Sequence, residues 1–336
     1  MHTPTICGAA VTCRTEARGE IHMCAADARD GRPEADPRAG GMACRRDDQR
    51  SAARMTSYEV FPGITLSYLD VHTQTCAMAR TKAENAFEIH HCRQGRMERA
   101  FREEFCYLGA GDLSIARESD MGSRANFPLS HYSGIGIRID VDRAPKCLSC
   151  LLDDVTVSPQ ALAEKFCGGS QCFIARSNAS IDHIFSEIYE VPDSIKKGYL
   201  KVKILELLLF LSCLDARGDQ AGERCASRSQ AALARDVSAY LTACMDRRIT
   251  LDQLSARFHV SGTNIKTSFK LVYGISIYAY IRKLKMEAAA VVLANTDRSI
   301  LEIAGQFGYD NGSKFAKAFR DVMGAPPTSY RAGLRV

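Results

Sequence analysis

The C-terminal third of the chain carries one pattern twice, and few folds accommodate that. The first copy is TLDQLSARFHVSGTNIKTSFKLVYG, residues 250–274, and the second is SILEIAGQFGYDNGSKFAKAFRDVMG, residues 299–324. Each opens on a capping box, Thr250 with Gln253 and Ser299 with Glu302, in which a hydroxyl and a long polar side chain satisfy each other's orphan backbone donors. Apolar residues then follow at helical spacing, Leu251, Leu254 and Phe258 in one copy and Ile300, Ile303, Ala304 and Phe307 in the other. A break comes next, His259-Val260-Ser261 against Gly308-Tyr309-Asp310-Asn311, where Ser261 and Asp310 or Asn311 suit the cap of a second helix. The second helices set Ile265 and Phe269, then Phe315 and Phe319, four residues apart on one face, and end at Gly274 and Gly324, placed for left-handed C-caps. Corresponding residues lie about 50 positions apart, which reads as an internal duplication of a helix-turn-helix.

Charge follows the duplication. The 336-residue chain has a net charge of +5, yet from Arg228 onward there are 16 Lys and Arg against 8 Asp and Glu. A basic excess confined to the helical repeat is the electrostatic footprint of a nucleic-acid-binding domain. The length allows two domains, and an apolar fraction of 46% excludes disorder throughout. The longest apolar stretch, residues 204–214, is interrupted by Glu206 and Ser212, too short for a membrane span. Without a basic and then apolar leader, the chain is expected to stay in the cytoplasm. Its 14 cysteines lack a framework spacing and are expected to be mainly free thiols.

The second copy continues into a closing G-x-P-P-x-x-Y-R at residues 324–331. Together with I-x-x-I-A-x-x-x-G-Y-D at residues 300–310, the F-x-x-x-F-R at residues 315–320 and the first copy upstream, it resembles the AraC family of bacterial transcription regulators. The resemblance implies a sequence-specific regulator of promoter DNA, an activator, with an N-terminal cupin-like domain for a small-molecule effector. It also implies a homodimer and, by family analogy, contact with RNA polymerase. No cofactor is implied. An enzyme is the rival class, either an alkyl-accepting DNA repair protein or a metal-dependent cupin. The first lacks a Pro-Cys-His-Arg acceptor motif here, and the second lacks a cupin histidine set.

The expected fold class is α+β, an N-terminal antiparallel cupin-like β-barrel with following helices and a C-terminal all-α domain of two helix-turn-helix units joined by a long helix. Residues 1–54, rich in Ala, Arg, Asp, Gly and Pro, read as a disordered extension, with Met42 and Met55 as alternative starts. Residues 55–145 alternate as short strands, with turns at Gly95 and at Gly109-Ala110-Gly111-Asp112, and form the barrel. Residues 146–214 form a helical dimerisation or packing segment. It includes Cys147-x-x-Cys150, read as ordinary thiols, and a helix from Pro192 that is apolar over most of its circumference. Residues 215–227 form a linker, and residues 228–336 the DNA-binding domain.

Residues 277–295 form a strong helix of roughly 28 Å, long enough to hold two recognition helices against successive major grooves. On the family's pattern, the base-reading positions are Thr263, Lys266 and Thr267 in the first unit and Gly312, Ser313 and Lys317 in the second. Gly312 and Ala316 offer little to read with, so the first unit and Lys317 are expected to carry most direct readout. Lys270, Arg282, Lys314 and Arg320 are candidates for phosphate contacts. In the barrel, Glu88, His90 and Cys92 share a strand face and could line an effector pocket, whereas adjacent His90 and His91 point to opposite faces and make a metal site unsuitable. The alternative is a barrel that only dimerises and binds no effector.

Overall fold

The computed structural model describes residues 42–43, 53–78, 83–146, 148, 157–169, 172–176, 178–216 and 225–333. Most of the extension expected at residues 1–54, and the Cys147-x-x-Cys150 pair, lie outside them. Within the stretch expected to be a disordered extension, Met42–Ala43 and Ala53–Arg54 belong to strands.

The strands are β1 (Met42–Ala43), β2 (Ala53–Phe61), β3 (Ile64–Val71), β4 (Thr75–Met78), β5 (Ala86–Phe101), β6 (Glu104–Gly109), β7 (Leu113–Arg117), β8 (Met121–Asn126), β9 (Tyr132–Asp140), β10 (Phe173–Ala175) and β11 (Cys225–Ala226). The 16-residue β5 is their spine. Its first half pairs with β9 and β7, and its second half with β8 and β6, so two antiparallel sheets share it. β10 extends one sheet through β7, and β11 extends the other through β6.

Two expectations are corrected here. The sheet does not close into a barrel: the strand path β1-β4-β8-β5-β9-β3-β2 is open at both ends among the described residues. Nor is Gly95 a hairpin turn. It sits inside β5 at φ +83°, beside a register shift against β9, and bends the strand from one sheet into the other. A Cβ there would stand 2.1 Å from the His131 carbonyl oxygen, so only glycine fits. The hairpin lies further on, where Arg102 takes φ 52° between β5 and β6. The Gly109–Asp112 corner does form, with the Gly109 amide donating to Asp112 Oδ2 at 2.8 Å.

Three helices cover the sheet of β2, β3 and β9: α1 (Pro159–Cys167), α2 (Ala179–Tyr189) and α3 (Lys196–Cys213). Ile181, Ile184, Phe185 and Ile188 of α2 and Leu200, Ile204, Leu207, Leu208 and Leu211 of α3 are buried in one core with Ile64, Leu66, Ile89 and Ile137. The sequence left α1 unread. The apolar circumference of α3 divides, with one side in this core and Val202 61% exposed. Lys203 of α3 is buried and ion-paired with Glu187 at 3.0 Å. Cys76 is disulfide-bonded, whereas the other described cysteines are free thiols.

The C-terminal helices are α4 (Arg228–Ala243), α5 (Leu251–Phe258), α6 (Gly262–Tyr273), α7 (Ile277–Asn295), α8 (Ile300–Gln306), α9 (Gly312–Met323) and α10 (Pro327–Gly333). Both capping boxes form, at Thr250 with Gln253 and at Ser299 with Glu302. Gly274 and Gly324 take left-handed C-caps at φ 76° and 78°. The α5–α6 unit packs around Phe269, Val272 and Leu254 together with Val237 and Leu241 of α4, and the α8–α9 unit around Phe315 and Phe319 with Met286 and Leu293 of α7. None of the described helices is long and apolar enough to cross a membrane.

The two domains meet at the first unit. Tyr107 and Ala226 of the β domain are fully buried in the core of α4, α5 and α6. Arg96 of β5 caps the C-terminus of α6, donating from Nε to the Val272 carbonyl at 2.8 Å and from Nη2 to the Leu271 carbonyl at 2.6 Å. A guanidinium placed there satisfies orphan carbonyls and opposes the negative end of the helix dipole. Two residues on, the buried Glu98 carboxylate accepts from Tyr107 Oη at 2.6 Å, from Asn126 Nδ2 at 2.6 Å and from Arg235 of α4. The polar linker expected at residues 215–227 thus ends in a strand, β11, added to the β domain, because β6 offers it a free edge.

Candidate nucleic-acid interface

Helix α6 sorts its residues by period. Ile265, Ser268, Phe269 and Val272 are buried, while Thr263, Lys266, Thr267 and Lys270 are exposed on the opposite face. Its start is set by Ser261, whose hydroxyl accepts from the Asn264 amide at 3.3 Å. Gly262 precedes the polar face for a packing reason, since a Cβ there would stand 2.7 Å from Leu251 Cδ2 of α5. Helix α9 repeats the arrangement, with Asn311 Oδ1 capping the Ser313 and Lys314 amides at 2.8 and 3.2 Å. Phe315, Ala318 and Phe319 are buried, and Ser313, Lys314, Lys317 and Arg320 are exposed. Gly312 and Ala316 are half-buried, which leaves a shallower polar surface on α9 than on α6.

The 19-residue α7 joins the two units. Arg282, on α7, is half-buried and pairs with Asp321 of α9 at 2.5 Å, so it also ties the second unit to the connecting helix. Lys285 is buried one turn further along. Its ammonium donates to the carbonyls of Arg247 at 3.1 Å and Phe307 at 2.9 Å, and burial lowers its pKa. It therefore pins both units to α7 from inside.

Between the units lies a cleft of about 620 Å³, lined among others by Lys266, Arg282, Arg247, Arg248, Ser276 and Tyr278. Arg247 and Arg248 are exposed, as is Tyr278 at 71%. Sequence reasoning passed over these three. The available signal was the Arg-Arg pair one residue before the Thr250 cap, which places two cations at the N-terminus of the first unit.

The expected effector-pocket residues are enclosed within the β domain. Glu88 and His90 face each other at 3.3 Å, and Glu88 is also ion-paired with Arg99 in a buried cluster. Burial opposes ionisation of Glu88, but Arg99 and His90 outweigh it and hold the carboxyl well below the usual carboxylate range. His90 Nδ1 and Arg99 Nε lack hydrogen-bond partners there. Cys92 is fully buried in the core with Met97, Ala116, Tyr132 and Cys172, and an outer cleft of about 290 Å³ opens beside it at His91, Arg93 and Tyr189. His91 stacks on Phe185 of α2 with ring centroids 4.0 Å apart, and burial pushes its pKa down to about 4. The opposite orientations expected of the two adjacent histidines are observed.

Comparison with known proteins bears on the C-terminal domain. A helix-turn-helix domain family model matches residues 254–333. The Right origin-binding protein of Escherichia coli K12 is 35% identical over 102 residues, covering 30% of this chain and 35% of that protein. The Transcriptional regulator Rob of Salmonella typhimurium matches over the same length at the same identity. The chain thus spans about a third of the length of these relatives. Among solved structures, the C-terminal domain of AraT, a response regulator from Geobacillus stearothermophilus, is 31% identical and covers 30% of this chain and 84% of that one. Its TM-score is 0.30. With both capping boxes, both glycine caps and the connecting helix in place, residues 254–333 form an AraC-type helix-turn-helix domain.

Proposed function

We propose that the whole chain is a sequence-specific, ligand-responsive transcription activator that reads promoter DNA through α6 and α9. The observation that supports this best is the pair of exposed polar faces, Thr263, Lys266 and Thr267 on one helix and Ser313 and Lys317 on the other, joined by α7. Lys266 and Lys317 read base edges, with guanine the usual partner. Lys270, Lys314 and Arg320, with Arg247 and Arg248 in the cleft, hold phosphates. Arg282 shares its charge between Asp321 and the backbone of the DNA. A second copy of the chain and RNA polymerase are the protein partners that the family resemblance supports.

Selection of genomic fragments on the immobilised full chain supplies the site. On that site, Lys266→Ala should cost about 1–3 kcal/mol and relax preference at one base pair, while Lys270→Ala should weaken all sequences and reduce the salt slope by about one. Equal loss on every sequence for Lys266→Ala would remove it from base readout.

The effector, on this reading, enters the outer cleft at His91, Arg93 and Tyr189, close to the lower end of small-molecule sites at about 300 Å³. The second reading, a β domain that only dimerises, is favoured by its interior, where the space beside Arg99, Cys106 and Tyr107 is about 10 Å³. A metabolite that raises the Tm of the full chain, with the rise lost in Tyr189→Ala, supports the first. A monomer–dimer equilibrium that is independent of every metabolite tried supports the second.

A further inference from the structure

Cys225 lies in β11, two residues before the N-cap of α4, and is paired directly opposite Cys106 of β6. The two sulfurs are 2.8 Å apart, and both are free thiols. Directly opposed residues of an antiparallel pair have Cα atoms about 4.5–5.5 Å apart, inside the roughly 4.4–6.8 Å range that a disulfide spans. Rotation of the side chains alone could close the gap. The two thiols are unlike. Cys106 is buried at 6% exposure, whereas Cys225 is only partly covered.

We propose that Cys106 and Cys225 form a peroxide-oxidisable dithiol whose disulfide staples the strand entering the DNA-binding domain to the β domain. The bond would act where the attachment is weakest. β11 is two residues long, so few ladder hydrogen bonds hold it, yet it leads straight into α4, which carries Arg235 to Glu98 and packs on α6. Cysteine chemistry at the pair divides the roles. The hydrogen bond from Cys106 lowers the pKa of Cys225, while the neighbouring Cys172 and Cys225 thiols and burial raise that of Cys106. Cys225 is therefore the nucleophile and Cys106 the resolving thiol.

The chemistry balances with hydrogen peroxide as oxidant. The Cys225 thiolate attacks one peroxide oxygen, so an S–O bond forms, the O–O bond breaks and the departing hydroxide takes up a proton as water. Cys106 then attacks the Cys225 sulfur. The S–S bond forms, the S–O bond breaks, and the released hydroxide takes the Cys106 proton to give a second water. Two thiols lose two electrons, and one peroxide gains them.

The test uses the full chain, reduced, desalted and treated with hydrogen peroxide. Peptide mapping should find one linked pair containing Cys106 and Cys225. The link should be absent in Cys225→Ser, a half-exposed position that tolerates serine, and retained in Cys172→Ser. Amide exchange in β11 and the first turn of α4 should slow about tenfold on oxidation. A Cys106–Cys172 link, a sulfinic acid on Cys225 without any link, or unchanged exchange after the link has formed would each overturn the proposal.

Discussion

The two helix-turn-helix units share a pattern but not a setting. The α8–α9 core is built from its own helices with α7 and α10, with Met245 from the α4–α5 connection packed against it, whereas the α5–α6 core incorporates Tyr107 and Ala226 of the β domain, with Phe105 and Leu129 packed against it. Arg96 and Glu98, neighbours but one on β5, hold α6 and α4 from outside the DNA-binding domain. A duplicated motif can therefore have one unit held on the β domain and the other held on the connecting helix and on the Met245–Arg247 segment that precedes the first unit. Helix α6, in direct contact with the β domain through Arg96, also carries the richer polar face.

The largest test of this contrast is truncation of the matching phenylalanines. Phe269→Ala and Phe319→Ala should each cost about 3–5 kcal/mol, both side chains being fully buried. Amide exchange should show the loss from Phe319→Ala confined to α8, α9 and α10, whereas Phe269→Ala also deprotects β6 and β11. A confined loss in both variants would break the comparison.

Acid gives a second route. Because burial depresses the pKa of His91 from 6.5 to about 4, the unfolded chain binds more protons between those values. The contribution is present in full above pH 6.5 and is lost as pH falls toward 4, up to about 3 kcal/mol for a shift of this size. Protection of the β sheet and of α4–α6 should fall together over that window while α8–α9 persists, and His91→Phe should remove the dependence. Equal falls in both units would show that they are not separately held.

Smaller still is Glu98→Ala, which strips the acceptor from the Tyr107 hydroxyl and the Asn126 amide and should cost about 1–3 kcal/mol. It should also lower the cooperativity of unfolding between the β domain and α4, read as two resolved transitions in calorimetry. Least of all, Thr250→Ala and Ser299→Ala should each cost about 1 kcal/mol, as both remove one N-cap. Similar costs at the two caps would show that local helix chemistry is the same in both copies and that only the setting differs.

Much of the helical domain was legible because its signals are local. Capping boxes, glycine caps and apolar residues at helical spacing act within one or two turns, so α7 appears over the residues expected of it, and the exposed face of α6 holds Thr263, Lys266 and Thr267. The β domain was less legible. Strand alternation was visible, but pairing is non-local, and nothing in the neighbourhood of Gly95 distinguishes a hairpin turn from a bend within a strand. That depended on the close approach of the His131 carbonyl.

The sequence by itself determined the duplication, the helices that express it and the polar faces they present, since each follows from spacing along one chain segment. Tertiary structure alone decided that the sheet stays open, that Glu88 and His90 close on Arg99 while Cys92 is sealed in the core, and that Arg96 reaches the end of α6. Arg96 and Val272 are 176 positions apart, and Cys106 and Cys225 are 119 apart. Contacts over such separations arise from the packing of whole elements, which no local pattern encodes.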